Sequence, residues 1–539
     1  MLNEAQQKAV DSNNKRIVCL AGAGTGKSTT LLARISRLVS EGVKPEHILA
    51  LTFTNAAAFE MKDRYLKDHK GSDKIPEFRT FHSFCYHILT IDPTIRMKLG
   101  YSSIPSIAEP AAEKRIITEA KMQTGIKLSD KKIFEKSTLT QQEAYDLMLI
   151  LKAADRLMKQ RNLITFDKLC SEVCNLFVAD DPLIAQYKKQ FVYVFADEYQ
   201  DSDKCQHEFV LSFKDSHIFV VGDALQNLYA FRGTSSEMIK ALAEDADWET
   251  IKLYENYRST KSICDYANKY SKSYAKESYR IAIESTKDTG ASVTVEHYYP
   301  EYRGTVPESL VDLIVSHNST TLTGVTAVLV RTNAEVASIQ ARLRETNTPF
   351  MSKRTTSNAH NLLKSVFDDT YAAEWLATYL SAELYSEFIR RSAVRKQQNA
   401  AYSLSEFIEE FGTNSEIKLN VDKLYRLRKV CRASTSIAAK QRDILRILGY
   451  DNSLKIDVSD AKKLSDVLDK LADELESYSS DACRLYVGTV HSVKGLEYDN
   501  VYVIGPKSRS WPLNIEDNQN LFYVAVTRAK TNLFIYFAG

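Results

Sequence analysis

The run Ala21-Gly22-Ala23-Gly24-Thr25-Gly26-Lys27-Ser28 has the residue types and spacing of a phosphate cradle. Closely spaced glycines let backbone N–H groups turn inward around an anion, and a helix opening at Lys27 adds its positive end. In that pattern Lys27 reaches the β- and γ-phosphates, Ser28 supplies a hydroxyl to a magnesium ion, and Thr29 extends the cradle. Ala21 stands where the general pattern has glycine, a modest departure. Far along the chain, Asp197-Glu198 closes the apolar run Phe191–Ala196. A strand end of that kind can put one carboxylate, Asp197, on the magnesium shell and its neighbour, Glu198, near an attacking water. The combined chemistry is ATP hydrolysis with Mg2+.

These residues need a rigid frame. Short apolar runs rich in β-branched and aromatic residues lead into each chemically interesting turn: Arg16–Leu20 into the glycine loop, Ile48–Phe53 into Thr54-Asn55, Phe191–Ala196 into Asp197, and Ile218–Val221 into Gly222-Asp223. Continuous apolar runs separated by helical patterns suit parallel strands buried on both faces, whose ligands bind beyond the carboxyl ends. A later set, Val325–Val330, Leu485–Val487, Val501–Ile504 and Leu533–Phe537, predicts a second α/β unit built from distant pieces. Between them, residues from about 90 to 185 and from about 350 to 478 show helical spacing. One amphipathic face there comprises Leu464, Val467, Leu468, Leu471 and Leu475, opened by Ser459 or Asp460, and suits a core-facing helix.

Bulk properties set limits. The 539 residues exceed one ordinary core, so two to four structural units are expected. Hydrophobic residues at 44% and charged residues at 26% are ordinary for a globular chain. A net charge of +2 means that a nucleic-acid partner must be held by a local basic groove. Cysteines at 19, 85, 170, 174, 205, 264, 431 and 483 form no CxxC pair. Cys170 and Cys174 share a helix face, but with no second pair they read as reduced, part-buried thiols. No apolar signal core and no membrane-length run is present, so a cytoplasmic, reducing compartment is expected.

The phosphate loop and the Asp197-Glu198-Tyr199-Gln200-Asp201 segment have company along nearly the whole chain. Leu2–Gln6, Thr52–Met61, Thr80–Phe84, Gly222–Gly233, Asn256–Ser259, Arg331–Asn333, Gly488–Glu497 and Tyr523–Ala529 resemble, in order, the motifs of superfamily 1 DNA helicases of the UvrD/Rep type. The resemblance implies an α/β fold of two RecA-like parallel-sheet motor domains, each interrupted by a mainly helical insertion. It places the first motor domain at 1–90 and 186–260, its insertion at 91–185, the second motor domain at 261–349 and 479–539, and its insertion at 350–478. By the same resemblance Gln6 reads adenine, Gln226 senses the γ-phosphate, and Glu497 contacts the nucleotide sugar. Arg258 and Arg528 would bring charge to the γ-phosphate from the second domain, as arginine fingers do. Phe53, Tyr229 and Phe231 match aromatic positions that stack on single-stranded bases, and Thr54, Asn55, Thr80, His82, Arg331 and His491 match DNA-contacting positions. Phe53 also suits a core position, and His82 and His491 also suit buried hydrogen-bonding roles.

The resemblance therefore implies an ATP-dependent helicase that moves 3′→5′ on single-stranded DNA and opens tailed duplex, a monomer in isolation with no membrane partner. Two departures temper it. The segment Glu516–Asn520 lacks the acidic-then-basic run usual before the last motif, and the 350–478 insertion is compact. With the sequence ending at Gly539, this leaves an alternative: a DNA-stimulated translocase or sensor in a larger complex, with a protein partner that activates unwinding.

Overall fold

The computed structural model describes residues 2–69, 74–134, 139–228, 236–299, 305–346, 348–351, 358–377, 379–380, 382–397, 401–448, 464, 468, 470 and 484–539. It divides into two compact units, Met1–Asp288 and Thr289–Gly539. The boundary leaves residues 261–288 with the first unit, although the sequence reading assigns them to the second motor domain. The reason is local: strand Glu284–Ser285 pairs with Glu255–Asn256, and Asn268 on helix Lys261–Lys272 bonds both ways with Ile283.

The first unit is built on a six-stranded sheet of β1 (Arg16–Ala21), β2 (Ile48–Thr52), β3 (Glu77–Thr80), β4 (Tyr193–Ala196), β5 (His217–Gly222) and β6 (Glu249–Leu253). Their order is β3-β2-β4-β5-β1-β6, and every pairing is parallel. Parallel strands share one carboxyl edge, so Gly22, Phe53, Asp197 and Asp223 all emerge on the same side of the sheet. One face packs on α1 (Glu4–Asp11) and α2 (Lys27–Ser40) through Ala9, Leu31 and Ile35 against Cys19, Phe219 and Ile251. The chain continues through α3 (Asn55–Asp68) and α4 (Phe81–Ile91) into a helical insertion. There, helices Pro110–Thr124 and Gln141–Gln160 have their own core of Ile116, Ile117, Ile150 and Leu157.

The second unit has a five-stranded, wholly parallel sheet: β7 (Thr294–Tyr298), β8 (Thr326–Val330), β9 (Leu485–Thr489), β10 (Tyr498–Ile504) and β11 (Ala529–Ala538), in the order β7-β11-β10-β8-β9. Helices between Asn358 and Leu448 form a separate cluster around Trp375, Phe388, Phe407 and Leu424. Leu464 and Leu468 pack on that cluster, as the amphipathic pattern predicts, whereas Val467, Leu471, Leu475 and the cap candidates Ser459 and Asp460 lie outside the described residues. No described helix is long and apolar enough to cross a membrane.

The strands evident in sequence are mostly those buried on both faces. Three were not: β3, β6 and β7, and each lies at a sheet edge. Their sequences, EFRT, ETIKL and TVEHY, carry charges on exposed or half-exposed faces, so no continuous apolar run marks them.

Candidate nucleotide site and nucleic-acid interface

The glycine loop connects β1 to α2, and its backbone could not be built from other residues. Gly24 and Gly26 take φ of +68° and +81°, the left-handed region open to glycine. A Cβ on Gly24 would come within 2.6 Å of the Arg258 Cβ and 2.8 Å of Asn256 Nδ2, and one on Gly26 within 2.8 Å of Gln6 Nε2. Gly26 caps α2 without any side-chain bond, which leaves the N–H groups of the first turn directed outward for an anion. Ala21 is the last residue of β1, fully buried, so the departure from glycine falls on strand rather than on the turn. Gln6, held by a capping box with Asn3, donates from Nε2 to the Thr25 carbonyl at 3.0 Å. Thr29 is exposed on α2 and accepts from Arg64 at 2.9 Å.

The carboxylates stand opposite the loop. Ser28 Oγ donates to Asp197 Oδ2 at 3.1 Å, so the hydroxyl and carboxylate named for magnesium are already adjacent. Asp197 is 4% exposed, and burial, then the neighbouring Glu198, push its carboxyl up to about 7, against the opposing charge of Lys27. Lys27 acts on Asp223 as well, whose carboxyl is also raised by burial. Glu198 has a φ of 50°, costly for a side-chain-bearing residue, and its carboxylate accepts from Gln200 Nε2 at 2.6 Å. Gln200 binds three ways: its Oε1 accepts from Asp223 N–H at 3.1 Å, and its carbonyl accepts from Asn227 Nδ2 at 2.6 Å. Gln226 donates from Nε2 to Asp223 Oδ2 at 2.8 Å. One fully buried glutamine thus links the strand-end pair to the sensor segment. Gln200 was quoted within its motif in the sequence but given no role there.

Arg258 sits in the first unit beside the loop, within the stretch 186–260 given to the first motor domain and not in the second domain from which the resemblance would have it act, because Tyr257 N–H donates to the Gly24 carbonyl at 3.0 Å. Asn256 fixes this turn. Its Nδ2 donates to the Ala23 carbonyl at 2.6 Å, and its Oδ1 accepts from the N–H groups of Arg258 at 2.9 Å and Ser259 at 2.7 Å. Asn256 is a second residue the sequence reading left without a role, and its burial inside a polar loop is the property that only coordinates reveal.

The DNA candidates of the first unit cluster at the ends of β2 and β3. Phe53 is half-exposed rather than core, Thr54 and Asn55 are exposed, and Asn55 Oδ1 accepts from Thr80 Oγ1 at 3.4 Å. Thr80 caps α4 through a capping box with Ser83. His82 is half-buried, with its ring 5.2 Å from that of the exposed Phe166. Phe59, 73% exposed on α3, is a further aromatic candidate that an apolar-run reading overlooks. Tyr229 and Phe231 lie outside the described residues.

In the second unit the candidates occupy opposite edges of the sheet. Arg331 and His491 follow the carboxyl ends of β8 and β9. Glu497 and Arg528 precede β10 and β11 at the other edge, where Tyr498 N–H donates to the Arg528 carbonyl at 2.9 Å. Glu497 is exposed and pairs with Lys530 at 3.0 Å. Arg528 is 2% exposed, with Nε donating to the Val524 carbonyl at 3.1 Å and Nη1 to the Leu496 carbonyl at 3.3 Å. These bonds fix the direction of its guanidinium.

Comparison with known proteins agrees with this geometry. Residues 2–247 match the UvrD/REP helicase N-terminal domain, and residues 251–367 and 365–539 match the UvrD-like helicase C-terminal domain. A probable DNA helicase II homolog of Mycoplasma capricolum is 27% identical, over 99% of this chain and 84% of its own length. The ATP-dependent DNA helicase PcrA of Bacillus subtilis is 28% identical over 99% of this chain and 82% of its own, and that of Staphylococcus epidermidis 27% over 99% and 83%. With both domain matches running through almost every residue, and with the phosphate loop and carboxylate pair on the same carboxyl edge of one parallel sheet, the chain belongs to the UvrD/Rep helicase family.

Proposed function

We propose that this chain is an ATP-driven DNA helicase that moves 3′→5′ along single-stranded DNA and separates tailed duplex. The observation that carries the reading is the joined polar network Ser28–Asp197–Glu198–Gln200–Asp223–Gln226 along one sheet edge, beside a loop shaped for phosphates.

Each residue has a task in that reading. The N–H groups of the loop and Lys27 bind the phosphates, and Gln6, anchored to the loop at Thr25, reads the base. The oxygen donors of Ser28 and Asp197 fit a hard divalent cation, and the raised carboxyl of Asp197 marks a site that gains from positive charge. A magnesium ion held by these residues would offset the negative charge of the transferring phosphoryl group. Glu198 orients the attacking water and takes its proton, with Gln200 fixing the carboxylate in place. Arg258, set by Asn256 over the loop, adds a cation at the phosphates. Phosphoryl transfer needs mostly positioning and charge, which this set supplies.

Phe53, Phe59, Thr54, Asn55 and His82 form the single-strand track on the first unit, with Arg331 and His491 on the second. Aromatic stacking is worth about 1–3 kcal/mol per base and tolerates any sequence, as a translocating motor requires. The test measures ATP hydrolysis and strand separation side by side on 3′-tailed, 5′-tailed and blunt duplexes, with DNA and RNA tracks. Hydrolysis accelerated by single-stranded DNA and opening of the 3′-tailed duplex alone are the expected results. Hydrolysis indifferent to DNA overturns the motor reading, and opening of the 5′-tailed substrate overturns the polarity.

A further inference from the structure

Cysteines from two distant segments converge in the first unit, beside the helix that Thr80 caps. Cys85 lies on α4, and Cys170 and Cys174 lie one turn apart on helix Phe166–Val178. Cys174 Sγ is 3.7 Å from Cys170 Sγ and 3.9 Å from Cys85 Sγ, and Cys85 Sγ is 4.0 Å from the Cys170 carbonyl. All three are buried, with sulfurs mutually within 4.8 Å, and among the described residues no other three His, Cys, Asp or Glu side chains gather so closely. A tetrahedral thiolate site with zinc–sulfur bonds of about 2.3 Å has sulfur–sulfur edges of about 3.8 Å. Two of the edges are thus already at the length such a site requires.

A fourth thiol lies on the adjoining element: helix Lys204–Leu211 packs on Phe166–Val178, with the Phe209 and Phe177 rings 4.8 Å apart, and carries the half-buried Cys205 near its start, outside the three sulfurs that lie within 4.8 Å of one another. His82 stands one turn before Cys85 on α4. Three thiols packed as small apolar groups would be the ordinary fate of buried cysteines. That fate does not require sulfurs from separate elements to meet one another, nor a fourth thiol beside them.

We propose that Cys85, Cys170 and Cys174 form a thiolate site for a soft divalent cation of the zinc class, with Cys205 drawn in from the adjoining helix as the fourth ligand. Binding displaces the thiol protons to solvent and involves no electron transfer. The cation would staple three pieces: α4, which starts at Thr80 on the track; the insertion helix carrying Phe166; and the helix that follows the Asp197–Asp203 segment. Its role is to hold the track in register with the strand-end carboxylates.

The full chain, purified under reducing conditions and stripped with a chelator, is titrated with cobalt(II). The expected result is uptake of about one equivalent, with the intense visible bands and sulfur-to-cobalt charge transfer of a tetrahedral thiolate site, bleached by added zinc. Cys85→Ser and Cys174→Ser lose the spectrum, while Cys431→Ser, in the second unit, keeps it. Should the serine variants fold poorly, the unaltered chain still decides: zinc raises its melting temperature and the chelator lowers it. An unaltered chain that gives no thiolate–cobalt spectrum and melts identically with zinc or chelator overturns the proposal. So does a spectrum kept at full intensity by both serine variants.

Discussion

At Gln200 a single amide serves both carboxylate-bearing turns, so its loss should separate binding from chemistry. Gln200→Ala removes the amide that the Glu198 carboxylate accepts from and leaves the Asp223 N–H without its buried acceptor, a cost of about 1–3 kcal/mol in stability. The expected kinetic result is kcat for ATP reduced at least about tenfold with KM changed little, because the phosphate loop is untouched. Lys27→Ala should abolish DNA-stimulated hydrolysis altogether. Glu198→Gln should lower kcat by about 100-fold or more while retaining nucleotide binding, measured with a fluorescent ATP analogue. These roles divide by how legible they were. Lys27, Ser28, Asp197 and Glu198 sit in contiguous motifs whose chemistry is local. Gln200 and Asn256 work through backbone carbonyls and amides remote in sequence, a relation that side-chain identity does not encode.

Among the elements, strands buried on both faces announce themselves as apolar runs, and β1, β2, β4 and β5 are close to where their runs place them. The edge strands β3, β6 and β7 do not, since they carry charge on exposed or half-exposed faces, whereas β9, an edge strand that is nearly all buried, does. The cysteine cluster was illegible for a related reason. Cys170 and Cys174 are visibly one turn apart, but their third partner is 89 residues before Cys174. At this scale α4 is the element to probe. Thr80 accepts from Ser83 N–H at 3.1 Å as its N-cap, so Thr80→Ala should destabilise the first unit by about 1 kcal/mol, read by chemical denaturation. Thr80→Asp replaces the cap while adding a negative charge at the track. It should recover the stability and still weaken single-stranded DNA binding.

For the whole molecule, 71 basic and 69 acidic residues nearly cancel, so no long-range field draws in a polyanion. Affinity for DNA must come from close contacts, each displacing counterions with a slope of about 0.7 per phosphate on single strands. The DNA concentration for half-maximal ATPase should therefore rise steeply with sodium chloride, while DNA-independent hydrolysis changes little. Stability, too, belongs to the entire chain, and here the left-handed backbone of Glu198 has a cost. Glycine at this position would relieve about 1 kcal/mol of conformational strain and remove a negative charge from beside Asp197. Against that relief, Glu198→Gly strips the fully buried Gln200 amide of its acceptor, so the exchange brings no net gain in stability and ends ATP turnover. The strained backbone is thus held in place by the same amide that aims the carboxylate, and the pair can be given up only together.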